Sequence, residues 1–414
     1  MLDLAAYLQP DDLIVIPQGT AEPLELTRRL VAGERHLPRC RVFLGTVFSD
    51  TFDTVTRLEL IGIGGLGRAH QLISAGRCEV VPCQISQLPA LFAGALKPDV
   101  VLVHLSAESR DGRHSVGIVD DYLQAAMTHA RVILAQVNVQ MPYTHGSTTV
   151  SLDELDGYEH VDAPLIEVPP AKPSAQATEI GKRAAELIDD GSCLQVGIGA
   201  VPDAVLRELH GRRGLGIHSG LVTDELLALH NSDAVTNLNK PEYQGKSVTG
   251  VAFGTRDLYS AMSQDSSLWM RPVPVTHGHD VLARIHQLVA INSAIEVDLT
   301  GQINAEVAGQ AYLGGTGGQV DFGRGAGASP GGRAIIALPS TDRRGRISRI
   351  VTQPSASVTT TLRSEADIIV TEYGVVDMQG LTLAERRRKL ISIAHPRFRD
   401  ELIEAPLPPG CGQR

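Results

Sequence analysis

Two carboxylates, Glu296 and Asp298, stand two residues apart in INSAIEVDLTGQINAE (291–306). Around them Ile291, Ser293, Ile295, Val297 and Leu299 alternate with Asn292, Ala294, Glu296, Asp298 and Thr300. A period of two marks a half-buried strand, and carboxylates are poor strand formers. What such a strand gains from two acids on one face is a chemical question. A second stretch, YLGGTGGQVDFGRGAGASPGG (312–332), is too rich in glycine for the interior of a strand or helix. It lacks the Lys-Ser/Thr of a P-loop. It reads as a loop whose backbone N–H groups can approach an oxyanion or a thioester carbonyl.

Other patterns carry less. Gly62, Gly64 and Gly67 in ELIGIGGLGRAH (59–70) form a G-x-G-x-x-G after an apolar strand. The next strand ends in Cys83 and Gln84, where a dinucleotide site needs a ribose-binding acid, so a plain glycine turn is the reading. His277, His279 and Asp280 cluster in THGHD, but no convincing set of further ligands follows. They read as a turn with solvated histidines. In GIHSG (216–220) the serine is fourth, not third, so the nucleophile elbow of a serine hydrolase is missing.

Elements must position these groups. Short β-branched runs recur at 12–17, 41–45, 99–105 and 131–137, then at 194–199, 247–253, 288–292, 333–339 and 367–372. Helical patterns such as EPLELTRRLVAG and ATEIGKRAAELIDD lie between many of them. Alternation of this kind predicts α/β layers around mainly parallel sheets. IPQGTAEPLELTRRL (16–30) is echoed by VGIGAVPDAVLREL (196–209), with Pro23 and Pro202 at matching places near a helix start. The echo suggests two similar domains, joined near the Pro-rich VPPAKPSAQATE (168–179). Thr382 and Glu385 predict a capping box.

The 414 residues suit two domains, and 43% hydrophobic residues are ample for their cores. A net charge of −10 argues against a nucleic-acid partner but not against an anionic small molecule. The five cysteines are Cys40, Cys78, Cys83, Cys193 and Cys411, odd in number and scattered, which reads as reduced thiols. Neither a basic leader nor a run of about 18 apolar residues occurs, so a cytoplasmic protein with no membrane contact is expected.

Taken in order, VNVQMPYTHG (137–146), VGIGAVPDAV (196–205), LGIHSG (215–220), GTRDLY (254–259), INSAIEVDLTGQINAE, GGTGGQVDF, IVTEYGVVDMQG and IAHPRFRDEL (393–402) resemble the acetyl-CoA hydrolase/transferase group. These are family I CoA-transferases, including 4-hydroxybutyrate, butyrate and acetate CoA-transferases. The resemblance runs along nearly the whole chain. It implies two similar open α/β domains with mainly parallel sheets, 1–178 and 179–414, with the active site at their interface. It implies CoA transfer between a short-chain acyl-CoA and a carboxylic acid, with acyl-CoA hydrolysis as the alternative on the same fold. A non-catalytic acyl-CoA-binding protein is a more distant alternative.

By the same resemblance Glu296 is the covalent nucleophile of a ping-pong reaction through a glutamyl–CoA thioester. A carboxylate can attack a thioester if it is desolvated and positioned. Gly315, Gly317 and Gly318 are the implied oxyanion donors, and Gly374 a glycine touching CoA or the oxyanion. Gln140, Met141, Pro142 and His218 are implied to line the substrate cleft. A second charge beside Glu296 would hinder its ionisation, so Asp298 is given a structural or exposed role. Coenzyme A is a substrate, with no bound cofactor and no metal. The partners implied are acyl-CoA, small acids and further copies of the chain, as dimer or tetramer. Two places depart from the family. Relatives carry a glutamate two residues after the histidine of L-G-I-H, where this chain has Gly220, and SAESRDGRHSVG (106–117) lacks the family proline. Both bear on the acceptor acid.

Overall fold

The computed structural model describes residues 2–406 and Gly410. One sheet is built from β1 (Leu13–Val15), β2 (Arg41–Leu44), β3 (Glu59–Gly62), β4 (Cys78–Val80), β5 (Val100–Ser106), β6 (Val132–Asn138) and β7 (Gly157–Val161). Its order is β7-β6-β5-β1-β2-β3-β4, and every neighbouring pair is parallel. Alternate side chains serve two cores. Ile14, Val42, Leu60, Val100 and Leu102 pack on one face. Leu13, Val15, Phe43, Ile61 and Val101 pack on the other. A sheet covered on both faces explains why its strands read as continuous apolar runs.

The second sheet is built from β8 (Cys193–Val196), β9 (Gly216–Ile217), β10 (Leu288–Asn292), β11 (Arg333–Ala337), β12 (Ile368–Thr371) and β13 (Gly374–Asp377). Its order is β9-β8-β10-β11-β12-β13. All pairs are parallel except the β12–β13 hairpin. No strand of either sheet crosses residue 178. The halves meet closely: Ser86 Oγ donates to Asp321 Oδ1 at 2.6 Å, and Thr20 Oγ1 to the Ala252 carbonyl at 2.6 Å. One apolar cluster mixes Ala21, Ile118 and Met141 with Leu194, Val196 and Val251.

Local chemistry fixes the helix starts. Pro23 precedes the helix Leu24–Gly33, and Pro202 is the third residue of the helix Ala200–Arg207. Both positions fall where a backbone N–H has no intrahelical acceptor. Thr382 and Glu385 form the reciprocal capping box of the helix Leu383–Ile393.

Two sequence expectations are corrected. INSAIEVDL is not one strand. β10 ends at Asn292, and Glu296–Asp298 starts a separate strand that pairs with Ile303–Asn304 and Ile350–Val351. The alternation spans a turn, and all three residues of the second strand are buried. The glycine stretch is also not wholly a loop: Gln319–Ala328 is a helix. A Cβ on Gly325 would lie 2.5 Å from Leu282 Cβ. The glycine allows this helix to lie close against the helix His279–Arg284, and packing outweighs glycine's poor helix propensity.

Cys40, Cys78, Cys83 and Cys193 are free and buried, and burial pushes each thiol up to about 11. Cys411 lies outside the described residues. Among the described residues no helix is long and apolar enough to cross a membrane.

Candidate active site

Parallel sheets place ligands beyond the carboxyl ends of their strands. Here β8 and β10 end at a cavity of about 230 Å³. Gln195, Asn292 and Ser293 come from those strand ends, and Gly220 from just beyond β9. Gln18, Thr46 and Asp121 come from the first half of the chain. The amides of Gln195 and Asn292 are paired, with Asn292 Nδ2 donating to Gln195 Oε1 at 2.9 Å. This pairing holds both side chains at the cavity floor.

Gly314 to Gln319 form another wall. Their backbone runs into the N-terminus of the helix Gln319–Ala328. Among the described residues, no acceptor is assigned to the N–H groups of Gly315, Gly317 and Gly318. Unpartnered donors at a helix N-terminus, where the helix dipole is positive, favour negative charge. Donors of this kind can steady an anionic oxygen.

The wall is set by contact with the first half. Gly65 N–H donates to the Gly314 carbonyl at 2.5 Å, and Gly64 bridges Gly315. A Cβ would stand 2.6 Å from the Gly314 carbonyl at Gly64, and 2.3 Å from the Tyr312 carbonyl at Gly65. The G-x-G-x-x-G segment is therefore a glycine turn that lets two backbones touch.

Gly315, Gly317 and Gly318 line this cavity. The other residues singled out by sequence are not brought to it. Glu296 is buried, and its carboxylate is occupied by the chain itself. Ser355 donates through N–H at 2.8 Å to Oε2 and through Oγ at 2.7 Å to Oε1, and Asn304 Nδ2 donates to Oε2 at 3.2 Å. Glu296 does not line the cavity. In this structure the carboxylate ties the 355 turn to its strand. Glu296→Gln is expected to lower stability by roughly 1–2 kcal/mol, the scale of a weakened buried hydrogen-bond set. CoA transfer should remain within an order of magnitude of the parent, whereas loss of a nucleophile costs several orders. Thermal unfolding and a transfer assay on one preparation check both.

Gly374 opens β13 in the hairpin and packs against Ile393, away from the cavity. Gln140 and Pro142 line a separate hollow with Glu167, Arg256 and Tyr259. Met141 is a core residue. His218 is buried, with Nε2 against the Val275 carbonyl at 3.1 Å, and burial pushes it down to about 3. None of these four lines the cavity that the glycine wall encloses. Asp298 Oδ1 accepts from Thr300 N–H, Thr300 Oγ1 and Gln302 N–H, a turn-forming role.

Sequence reasoning missed His277 and Asp121. His277 is not solvated. It is buried on the cavity wall, tilted against Phe322 with ring centres 4.7 Å apart, and burial pushes it down to about 3. Its Nδ1 bonds Thr276 Oγ1 at 2.8 Å. Asp121 shows in sequence only as the second acid of GIVDDYLQAA, an odd pair inside an apolar run.

Comparisons with known proteins show the family. Residues 254–406 match the family model of the acetyl-CoA hydrolase/transferase C-terminal domain. Along 399 residues the chain is 36% identical to the 4-hydroxybutyrate coenzyme A transferase of Clostridium kluyveri, covering 94% of this chain and 92% of that one. The chain belongs to this acetyl-CoA hydrolase/transferase family. It is an enzyme of the CoA-transferase class. RipA from Yersinia pestis superposes with a TM-score of 0.92 at 31% identity, covering 97% of this chain and 94% of that one. The 4-hydroxybutyrate CoA-transferase of Porphyromonas gingivalis gives 0.80 at 32% identity, with 97% and 94% covered.

Proposed function

We propose that the chain transfers CoA from a short-chain acyl-CoA to a small carboxylic acid, by a ping-pong reaction through a covalent carboxylate–CoA thioester. The single observation that supports this reading is that Gly315, Gly317 and Gly318, glycines without an assigned acceptor for their N–H groups, line the cavity. A thioester carbonyl becomes an oxyanion on attack, and such donors lower that barrier. An enzyme carboxylate attacks the thioester, giving an acyl anhydride and CoA thiolate. The thiolate then attacks the enzyme carbonyl, which frees the acid and leaves an enzyme–CoA thioester. A second acid reverses both steps. Each step exchanges bonds of similar energy, so no ATP is consumed.

Acyl-CoA hydrolysis is the second reading. It is favoured by Gly220, which lines the cavity at the place where the family carries a glutamate. Incubation with acetyl-CoA and a panel of short acids separates the two. New CoA esters, seen by mass, support transfer. Free CoA without any new ester supports hydrolysis, and unchanged acetyl-CoA removes both readings.

A further inference from the structure

The cavity has two kinds of wall. Gly315, Gly317 and Gly318 lead into the helix Gln319–Ala328, whose dipole is positive at this end. Leu66, Leu221, Val251 and Phe253 line it with apolar side chains. The Phe253 ring is fixed by the first half of the chain. Phe48 meets it edge-on with ring centres 5.0 Å apart. Gly19, at φ +61°, makes way for it, since a Cβ there would stand 2.4 Å from Phe253 Cε1. The apolar wall is thus built across both halves and held in shape by close packing.

Among the described residues, those that line the cavity include no Lys or Arg. His277 supplies no positive charge at neutral pH, because burial pushes it down to about 3. Asp121 is the one acid in the lining, and burial pushes it up to about 7. Ionised, it repels a further anion, and protonated it still offers no counter-charge. One negative pole can therefore be held, at the glycines. A second would lose its hydration and find no partner, which is a costly state for a carboxylate.

We infer that the acid served by this cavity is a monocarboxylic acid with an uncharged, apolar tail, and that dicarboxylic acids are refused. The inference rests on the CoA-transfer reading above and names the substrate of that same site. The carboxyl end lies toward the glycines and the tail against Leu221, Val251 and Phe253. Size sets the upper limit. A cavity of about 150 Å³ lined by Leu, Ile and Phe accepts a benzene molecule. The volume here is about 230 Å³, so a tail of roughly six carbons, open-chain or cyclic, has room. Each methylene that enters should strengthen binding roughly fourfold.

The test offers pentanoate, succinate and monomethyl succinate to the full chain with acetyl-CoA, and reads new CoA esters by mass. Monomethyl succinate keeps the diacid's carbon skeleton and removes one charge, so it separates charge from shape. The expected kcat/KM for pentanoate and monomethyl succinate agrees within about tenfold, and that for succinate is lower by roughly a hundredfold or more. Succinate used within about tenfold of pentanoate overturns the inference and leaves the transfer reading standing. If no acid gives an ester, the transfer reading falls, and titration of pentanoyl-CoA and succinyl-CoA onto the protein decides the rest. Binding of pentanoyl-CoA tighter by about tenfold upholds the charge rule, and equal binding overturns it. Leu221→Arg places a cation in the apolar wall, and should raise the succinate-to-pentanoate ratio by about tenfold or more. An unchanged ratio in the folded variant overturns the rule. The panel on the unaltered chain decides even if the variant folds poorly.

Discussion

At pH 8 an Asp121→Asn protein is expected to unfold at a higher temperature than its parent, and near pH 4 at the same temperature. Burial pushes the folded carboxyl up to about 7, while in the unfolded chain it titrates near ~3.9. Between these values the folded state holds a proton that the unfolded state has lost. Stability therefore falls as pH climbs through that window, and stays down above it. Full desolvation would make the effect roughly 4 kcal/mol. Water entering the cavity reduces it, so a gain of roughly 1–3 kcal/mol for asparagine at pH 8 is the expected size. Near pH 4 both side chains are neutral. Asp120, pushed up to about 6 by burial and drawn down by Arg271, titrates in the same window, but it is present in both proteins. His277, on the same cavity, is held down to about 3 and stays largely neutral throughout. Thermal unfolding at the two pH values decides. Equal midpoints at pH 8 would mean that the carboxylate is well solvated, and its desolvated state would have to be given up.

The second large effect concerns position 220. A Cβ on Gly220 would lie 2.8 Å from Cε1 and Nε2 of His277 and 3.3 Å from Phe322 Cε2. Gly220→Glu alone therefore overpacks the wall, at a cost of roughly 1–3 kcal/mol, and should displace the imidazole. Adding His277→Ala removes the obstacle and gives a glutamate room beside the glycine wall. The pair is expected to raise CoA transfer by at least an order of magnitude, because it adds a carboxylate beside the glycine wall. A double variant that folds, binds CoA and transfers no faster than the parent would show that this wall cannot aim a nucleophile.

Much of the framework was legible. β1, β5, β6, β8, β10 and β11 follow apolar runs visible in the sequence, because a strand covered on both faces needs nothing else. Gly315, Gly317 and Gly318 were legible as a glycine-rich segment, and they line the cavity. What was not legible depended on contacts between distant segments. The local pattern around Glu296 says nothing of its partners, and only Ser355, far along the chain, shows what its oxygens bond. Gly325 looked like loop, and only Leu282 explains a helix there. His277 looked solvated beside His279, yet Gly220 and Gly318 enclose it. Asp121 gave no periodic signal, since its importance lies in the hydrogen bond it does not make.

The contact between Gly64–Gly65 and the 312–315 backbone has an evolutionary consequence. At the glycines of this wall there is no side chain to vary. At Gly64, Gly65 and Gly315 a Cβ would meet backbone on the other half of the chain, and no neighbouring rotamer can give way. Descendants of this sequence can thus explore new acids only through the opposite surface, where Thr46, Leu221, Val251 and Phe253 present exchangeable side chains. A mutant library confined to those four positions should hold nearly all the attainable changes in substrate range, and one built on the glycines should hold almost none.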